Sequence, residues 1–407
     1  LSAGLLQMSL FLSVVSVGKA VEVVRGIAPP LESGDVPLEN ALHRVLAEDI
    51  RADIDIPGFD RSTVDGYAVI ATDTTGASEA IPAMLSCQGR VGMGSADAGS
   101  ITPGSCCYVP TGGALPRGAD AAVMIEHAEQ IGDDVLVHRS VAPGENVITR
   151  GEDFRAGTVV LERGRVLSPR DIGVAAAIGA DRVTVAAVPR VGIISTGNEV
   201  VPVTATPGPG EVRDANSYLA GAFVTERGCR PVYFGIVRDE REALKAAVSS
   251  ALDTCDVVLV SGGSSKDERD NTAAVVADLG EVLVHGVALA PGKPTIIGTA
   301  RGRPVIGLPG HPASTFVVLV AIVDHLLAAM RGTAVSRRTL SARLKQNIPS
   351  TRGREDYVRV SVRDGEAVPI FGKSGLLNTL VQSDGIVRVP ASSEGLEVGE
   401  EVEVILW

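Results

Sequence analysis

From residue 189 to 331 the chain alternates short, β-branched apolar runs with stretches of helical spacing. Strand periodicity covers Val191–Ser195, Val232–Val237, Val257–Ser261, Val305–Leu308 and two weaker runs near Val282–Val287 and Thr295–Ile297. Helical spacing covers Ser217–Arg227, a segment opened by Asp239 with Glu242 three positions on, Thr272–Leu279, and the apolar stretch Thr315–Met330 closed by Gly332. Strands separated by helices need crossover connections, so this alternation predicts a largely parallel sheet with helices packed on it. Thr315–Met330 is shorter than a bilayer span and contains Asp324 and His325, which predicts a buried helix.

Open α/β sheets bind ligands beyond the carboxyl ends of their strands. The loops expected there are Thr196-Gly197-Asn198-Glu199, Arg238-Asp239, Ser261-Gly262-Gly263-Ser264-Ser265-Lys266 running on to Asp270, Ala290-Pro291-Gly292-Lys293-Pro294, and Pro309-Gly310-His311. Each carries glycine, a carboxylate, a hydroxyl or a cation. Glycine-rich loops at helix N-termini offer free N–H groups to phosphate, and Lys266 and Lys293 add charge. Glu199, Asp239 and Asp270 on the same edge repel an anion unless a hard cation such as Mg²⁺ stands between them. Residue by residue, plainer roles fit as well. Asp239 and Asp270 suit helix caps, Asp267 and Glu268 a solvated loop, Gly262-Gly263 a tight turn, and His311 a polar wall. There is no GxxxxGK[ST] or GxGxxG pattern, which disfavours P-loop kinases and dinucleotide enzymes.

Elsewhere the texture differs. Ser16 caps a stripe of Val17, Ala20, Val21 and Val24 that stops at Gly26, and Leu38, Ala41, Leu42, Val45 and Leu46 predict a second helix. Strands broken by glycine (Tyr67–Ala71, Met84–Gly89, Cys106–Pro110, Val135–Val137) predict a small β domain. Ser168-Pro169-Arg170-Asp171 then opens another helix. Alternation resumes in Tyr357–Val362, Gly385–Val389 and Glu401–Leu406, enough for a small barrel or sandwich. The expected organisation is a discontinuous helical domain (1–55 and 140–188), a β insertion (56–139), the α/β domain (189–331) and a C-terminal β domain (332–407). In the β insertion and the second helical segment, the polar loops Pro57–Ala68, Thr111–Pro116 and Arg150–Phe154 read as turns or as site loops, and spacing does not choose between them.

Composition removes several classes. Thirty-seven basic against 49 acidic residues give a net charge of −12, and aromatics are 3%, which argues against duplex DNA and single-strand stacking platforms. Five scattered cysteines with no CxxC spacing read as cytosolic thiols. Leu5–Val17 lacks a basic flank and a small-residue cleavage site, so no signal peptide is expected, and the missing initiator methionine reads as a processed or partial chain.

Taken in order, eight segments resemble the molybdopterin molybdenumtransferases, the MoeA proteins and the C-terminal region of gephyrin. They are Pro57–Ala68, Thr111–Pro116, Gly151-Glu152-Asp153, Ser195–Glu199, Ser261-Gly262-Gly263 with Asp270, Pro291–Pro294, Gly307–Gly310 with Ser314, and Arg354–Tyr357. The resemblance implies an α/β multidomain fold: a MogA-like three-layer domain, a small β domain, a helical linker domain and a C-terminal β-barrel. It also implies a homodimer whose active site is shared between subunits, with molybdate inserted into adenylylated molybdopterin and AMP released with Mg²⁺.

Carried over by position, Asp65, Glu199, Asp239 and Asp270 are the catalytic set, the last three also facing Mg²⁺. Asp65 and Thr111 would come from the partner subunit. Lys293, Ser314 and Arg354 would hold oxyanion or phosphate oxygens. Ser62, Thr63, Gly112, Asp153, Ser195, Thr196, Gly197, Ser261, Gly262, Gly263, Ser264, Lys266, Pro291, Gly292, Pro294, Pro309, Gly310 and Ser374 complete the substrate-binding set. Ala290 stands where many relatives carry lysine, Lys266 where they carry a smaller residue, and His311 where asparagine is usual. Insertion of tungstate, or a binding or scaffold role without turnover, stand as the alternatives.

Overall fold

The computed structural model describes residues 14–95, 98–262 and 271–407. The chain forms two compact units, one of residues 1–34, 43–45 and 185–407, the other of 35–42 and 46–184.

The larger unit begins with α1 (Val17–Gly26). Ser16 caps it by accepting from the Lys19 amide at 3.2 Å, and Val17, Ala20 and Val24 are buried as the stripe requires. The predicted second helix is not there. Leu38–Asn40 makes only one 3₁₀ turn after Pro37, His43 turns left-handed at φ 63°, and Leu42 points outward. A run of five apolar positions at helical spacing is cut by a left-handed residue within it, His43, where a right-handed helix cannot continue.

In the smaller unit, β1 (Gly66–Val69), β2 (Ala83–Arg90), β3 (Ser105–Val109), β4 (Ala121–Met124), β5 (Ala128–Ile131) and β6 (Asp134–Val137) form one sheet in the order β4-β1-β3-β2-β6-β5. Only β2 and β3 run parallel. Beyond it lies α2 (Pro169–Ala177), whose capping box is complete: Ser168 accepts from the Asp171 amide and Asp171 accepts from the Ser168 amide.

The α/β part of the larger unit follows the predicted alternation. It contains β7 (Arg190–Thr196), α3 (Asn216–Glu226), β8 (Arg230–Val237), α4 (Arg241–Thr254), β9 (Val257–Ser261), α5 (Asn271–Leu279), β10 (Gly280–His285), the short β11 (Leu289–Ala290), β12 (Ile296–Ala300) and β13 (Arg303–Leu308). The sheet order is β8-β7-β9-β13-β12-β10, parallel across the first four and antiparallel at β12 and β10. Asp239 does not open α4: Glu240 is the cap residue and no side chain serves there. Behind the sheet run α6 (Pro312–Val318), a π-helical segment Leu319–Val323 and α7 (Asp324–Arg331), ended by Gly332 at φ 70°. Within this 20-residue helix 78% of the most apolar window is buried, so its apolarity is spent on the core. Val17 and Val24 of α1 join Leu326, Leu327 and Met330 of α7 in the same cluster.

The remaining strands, β14 (Thr339–Leu344), β15 (Glu355–Arg363), β16 (Glu366–Pro369), β17 (Gly385–Val389) and β18 (Glu401–Leu406), close into a ring, β15-β16-β14-β18-β17 and back to β15. The C-terminal domain is thus a five-stranded barrel. It is tied to the α/β part by β11, which pairs with the start of β15 through Leu289↔Glu355 and Ala290↔Asp356. That junction sets the site.

Candidate active site

A cavity of about 880 Å³ opens at the carboxyl ends of β7, β8, β9 and β13, with the first loops of the barrel as its far wall. Of the residues expected in the site, Gly197, Glu199, Asp239, Gly262, Pro291, Gly292, Lys293, Pro294, Pro309, Gly310, Ser314, Arg354 and Ser374 line it. Sheet topology brings Gly197, Glu199, Asp239, Gly262, Pro309 and Gly310 to one edge, and the β11–β15 pairing sets the barrel loops against them.

Two glycines are forced by that crowding. Gly262 has φ +100°, and a Cβ on it would lie 2.0 Å from the Thr196 carbonyl oxygen. Gly197 has φ +150°, and its Cβ position lies 2.8 Å from a Glu199 carboxylate oxygen. Glu199 therefore folds back over the turn that precedes it, at the cavity wall.

Asp239 is fixed by two asparagines. Its amide donates to Asn198 Oδ1 at 3.3 Å, and Asn271 Nδ2 donates to both its carbonyl (3.1 Å) and its Oδ1 (2.9 Å). On the opposite wall, Lys293 sits at the tip of a turn after the Ala290–Pro291 cis peptide, its carbonyl accepting from the Val287 and Thr295 amides. Arg354 pairs with Asp356 at 3.0 Å, and Asp356 also accepts from Ser350. The guanidinium is thus oriented by a neighbour before any ligand arrives. Ser374 Oγ and His311 Nδ1 are 2.8 Å apart, and Ala313 N donates to the Ser374 carbonyl, so the barrel loop is latched to the start of α6.

Ser195, Thr196 and Ser261 are buried at the strand ends. Ser195 donates to Asp214, and Ser261 accepts from Asn216. The Ser195 and Ser261 hydroxyls thus tie the strand ends beneath the cavity, while Thr196 Oγ1 is buried without a hydrogen-bond partner among the described residues. Asn216 and Asp214 were not singled out by sequence. Asn216 Nδ2 ties Ser261 Oγ to the Gly310 carbonyl, both at 2.8 Å, and Asp214 accepts from Ser195 and Ser217. The available signal was the Asp-Ala-Asn-Ser run at a helix start, a pattern of cap chemistry. Arg352 and Gly353 also line the cavity.

In the smaller unit a second set meets. Asp65 Oδ1 accepts from the Thr111 amide at 2.9 Å, Gly112 N donates to the Ser62 carbonyl, and Ser62 Oγ closes a turn onto Val64. Thr63 and Asp153 are exposed nearby in sequence, anchored through their amides to Asn146 and Ile56. Gly263, Ser264, Lys266 and Asp270 lie outside the described residues, as do Asp267 and Glu268.

Among the described residues no three His, Cys, Asp or Glu side chains form a metal-ligating group. The two carboxylates at hand nevertheless suit a hard cation: Glu199 and Asp239 line one cavity, and the hydrogen bond from Asn271 goes to Asp239 Oδ1, with none to Oδ2 among the described residues.

Comparison with known proteins follows the same order along the chain. Residues 15–179 match the MoeA N-terminal region (domain I and II), 192–329 the "Probable molybdopterin binding domain", and 341–407 the MoeA C-terminal region (domain IV). The molybdopterin molybdenumtransferase of Bacillus subtilis is 32% identical, with 95% of this chain and 93% of that protein covered. The one from Nostoc is 30% identical over 96% and 93%. The crystal structure of the molybdopterin biosynthesis MoeA protein of Pyrococcus horikoshii OT3 superposes with a TM-score of 0.87 at 34% identity, covering 97% of this chain and all of that one.

Proposed function

The chain belongs to the MoeA family of molybdopterin molybdenumtransferases, transferases of molybdenum-cofactor biosynthesis, and from that premise we propose that it inserts molybdate into the dithiolene of adenylylated molybdopterin and releases AMP. The observation that carries this reading is the cavity itself. Glu199 and Asp239 face a wall bearing Lys293, Arg354, Ser314 and Ser374, over glycine loops whose amides suit phosphate.

Lys293 and Arg354 bind the oxygens of the oxyanion and phosphate, Lys293 as a point charge and Arg354 as a planar fork held by Asp356. Ser314 and Ser374 donate hydroxyl hydrogen bonds to the same oxygens. Glu199 and Asp239, with Asp270, would hold Mg²⁺, which would offset charge on the phosphate. Asn198 and Asn271 fix Asp239 so that its free oxygen faces the ligand. No side chain forms a covalent intermediate. The chain's contribution is positioning and fixed charge around a polyanion.

In the same reading the protein is a cytoplasmic homodimer with the four-part organisation expected from sequence, and Asp65 and Thr111 complete the partner's site. Free thiols at all five cysteines support a reducing compartment. The test is AMP release from adenylylated molybdopterin with Mg²⁺, with and without molybdate. Molybdate-dependent release is expected. Release that ignores molybdate, or none from folded protein, would overturn the proposal.

A further inference from the structure

Far along the chain from the cavity loops, the sheet of the smaller unit sets two thiols side by side. Parallel strands β2 and β3 are in register through Ser86↔Ser105 and Cys87↔Cys106, and the ladder shifts just beyond, before Arg90↔Tyr108. Adjacent strands run ~4.8 Å apart, which lies inside the range of Cα separations that a disulfide spans. Register alone does not join two side chains, because they must also leave the same face. Here they do: Cys106 belongs to the core cluster of Tyr67, Leu85 and Val135, and Cys87 packs against that cluster, whereas Cys107 belongs to a different one. Cys87 Sγ itself donates to the Gly89 carbonyl at 3.5 Å, at the edge of the register shift.

Their exposure differs in a useful way. Cys106 is fully buried, whereas Cys87 is half-buried and lines a cavity of about 580 Å³. Tyr67, Arg90, Tyr108 and Asp133 share that cavity, with the Arg90 guanidinium 4.2 Å from the centre of the Tyr108 ring. A space of that size admits a small peptide. Arg90 offers a cation to a peptide carboxylate arriving beside Cys87.

We propose that Cys87 and Cys106 form a dithiol site that reacts with small peptide disulfides such as oxidised glutathione and closes to an intrachain disulfide. Cys87, as thiolate, attacks one sulfur of the peptide disulfide. That S–S bond breaks, one peptide leaves as a thiolate that takes up the proton Cys87 gave up, and the other peptide stays on Cys87. The Cys106 thiolate then attacks Cys87 Sγ and expels the second peptide, which takes up the proton from Cys106. Two protein thiols are oxidised, one peptide disulfide is reduced to two thiols, and no other reactant is consumed. Burial pushes the Cys106 thiol up to about 12, with Cys87 adding to it, so Cys87 is the entry point and closure speeds up as pH rises.

The test treats the full chain with a series of glutathione redox mixtures, quenches with acid, blocks remaining thiols with excess N-ethylmaleimide in denaturant brought to near-neutral pH, and maps peptides without reduction. The expected product is a Cys87–Cys106 cross-link with a mass lower by two hydrogens, alkylatable thiols falling from five to three, and no retained glutathione. Cys106→Ser should stop at glutathione on Cys87, and Cys87→Ser should leave Cys106 unmodified. Stable glutathione on wild-type Cys87, a link through Cys107, or five free thiols in the most oxidising mixture would each overturn the proposal. The wild-type map decides even if a variant folds poorly.

Discussion

Asn216 shows what a single side chain contributes at the cavity floor. Its amide group donates to Ser261 Oγ and to the Gly310 carbonyl, joining the end of β9 to the loop after β13. Truncation strips the buried Ser261 Oγ and the more open Gly310 carbonyl of their donor, which costs about 2 kcal/mol. Asn216→Ala should therefore lower the unfolding free energy from urea denaturation by that amount and slow AMP release at least tenfold, because the glycine loops lose their spacing. Asn216→Asp should be no better, since it sets a carboxylate oxygen against the Gly310 carbonyl and removes the donor that joined the two loops. Full activity in either variant would mean that the floor tolerates looser loops than proposed. This residue was not legible in advance. Its partners lie 45 and 94 positions away, and nothing local says which hydroxyl an asparagine will meet. Glu199, Asp239 and Lys293 were legible, because each follows a strand whose end the fold brings to one edge. Asp239 read equally well as a cap, since short carboxylates near helix starts serve either purpose, and the cap position falls to Glu240 instead.

At the scale of elements, two helices carry pH dependence of stability. In α2, burial raises Asp171, but the Ser168 hydroxyl and amide and then Arg165 outweigh it, so the carboxyl sits below its usual range. That interaction is present above the ordinary carboxylate value and is lost as pH falls through the lowered one. Ser168→Ala should cost about 1 kcal/mol at neutral pH, and it should shift acid unfolding to higher pH, read by circular dichroism. In α7 burial pulls His325 down to about 4, with Arg337 and Arg25 adding repulsion. Here the unfolded chain takes up a proton that the folded one refuses. Stability is therefore complete above about 6.5 and declines as pH drops from there to about 4. The loss is roughly 2 kcal/mol after allowing for partial exposure. His325→Gln should flatten that window in denaturation curves taken at stepped pH, and an unchanged slope would remove His325 as its source. The capping box was plain in the sequence because it is local. The failed helix at Leu38–Leu46 was local too, yet there periodicity was read without weighing a left-handed His43.

At the scale of the whole molecule, the two clusters of site residues fall in different compact units, Glu199, Asp239 and Lys293 in one and Asp65 and Thr111 in the other. The α/β and barrel parts were legible as classes from alternation and turn spacing, but closure of the barrel depends on pairings such as Val387↔Val404 that period alone does not reveal. Which unit meets which in the assembled protein is a matter of the proposed dimer, and it can be decided without a structure of the complex. Asp65→Asn and Asp239→Asn should each abolish molybdate-dependent AMP release. If a site is built from both subunits, co-expressing the two variants gives mixed dimers in half of the population. In each mixed dimer one site carries both substitutions and the other carries neither. Turnover should then recover to roughly a quarter of wild type, with molybdate affinity unchanged because the recovered sites are intact. If each chain carries a complete site of its own, every site in the mixture holds one lesion and the co-expressed protein stays inactive. That outcome would put Asp65 and Asp239 in a site carried by one chain, whereas full activity of Asp65→Asn by itself would return Asp65 and Thr111 to turn chemistry and leave the cavity at Glu199 and Asp239 as the whole of the site.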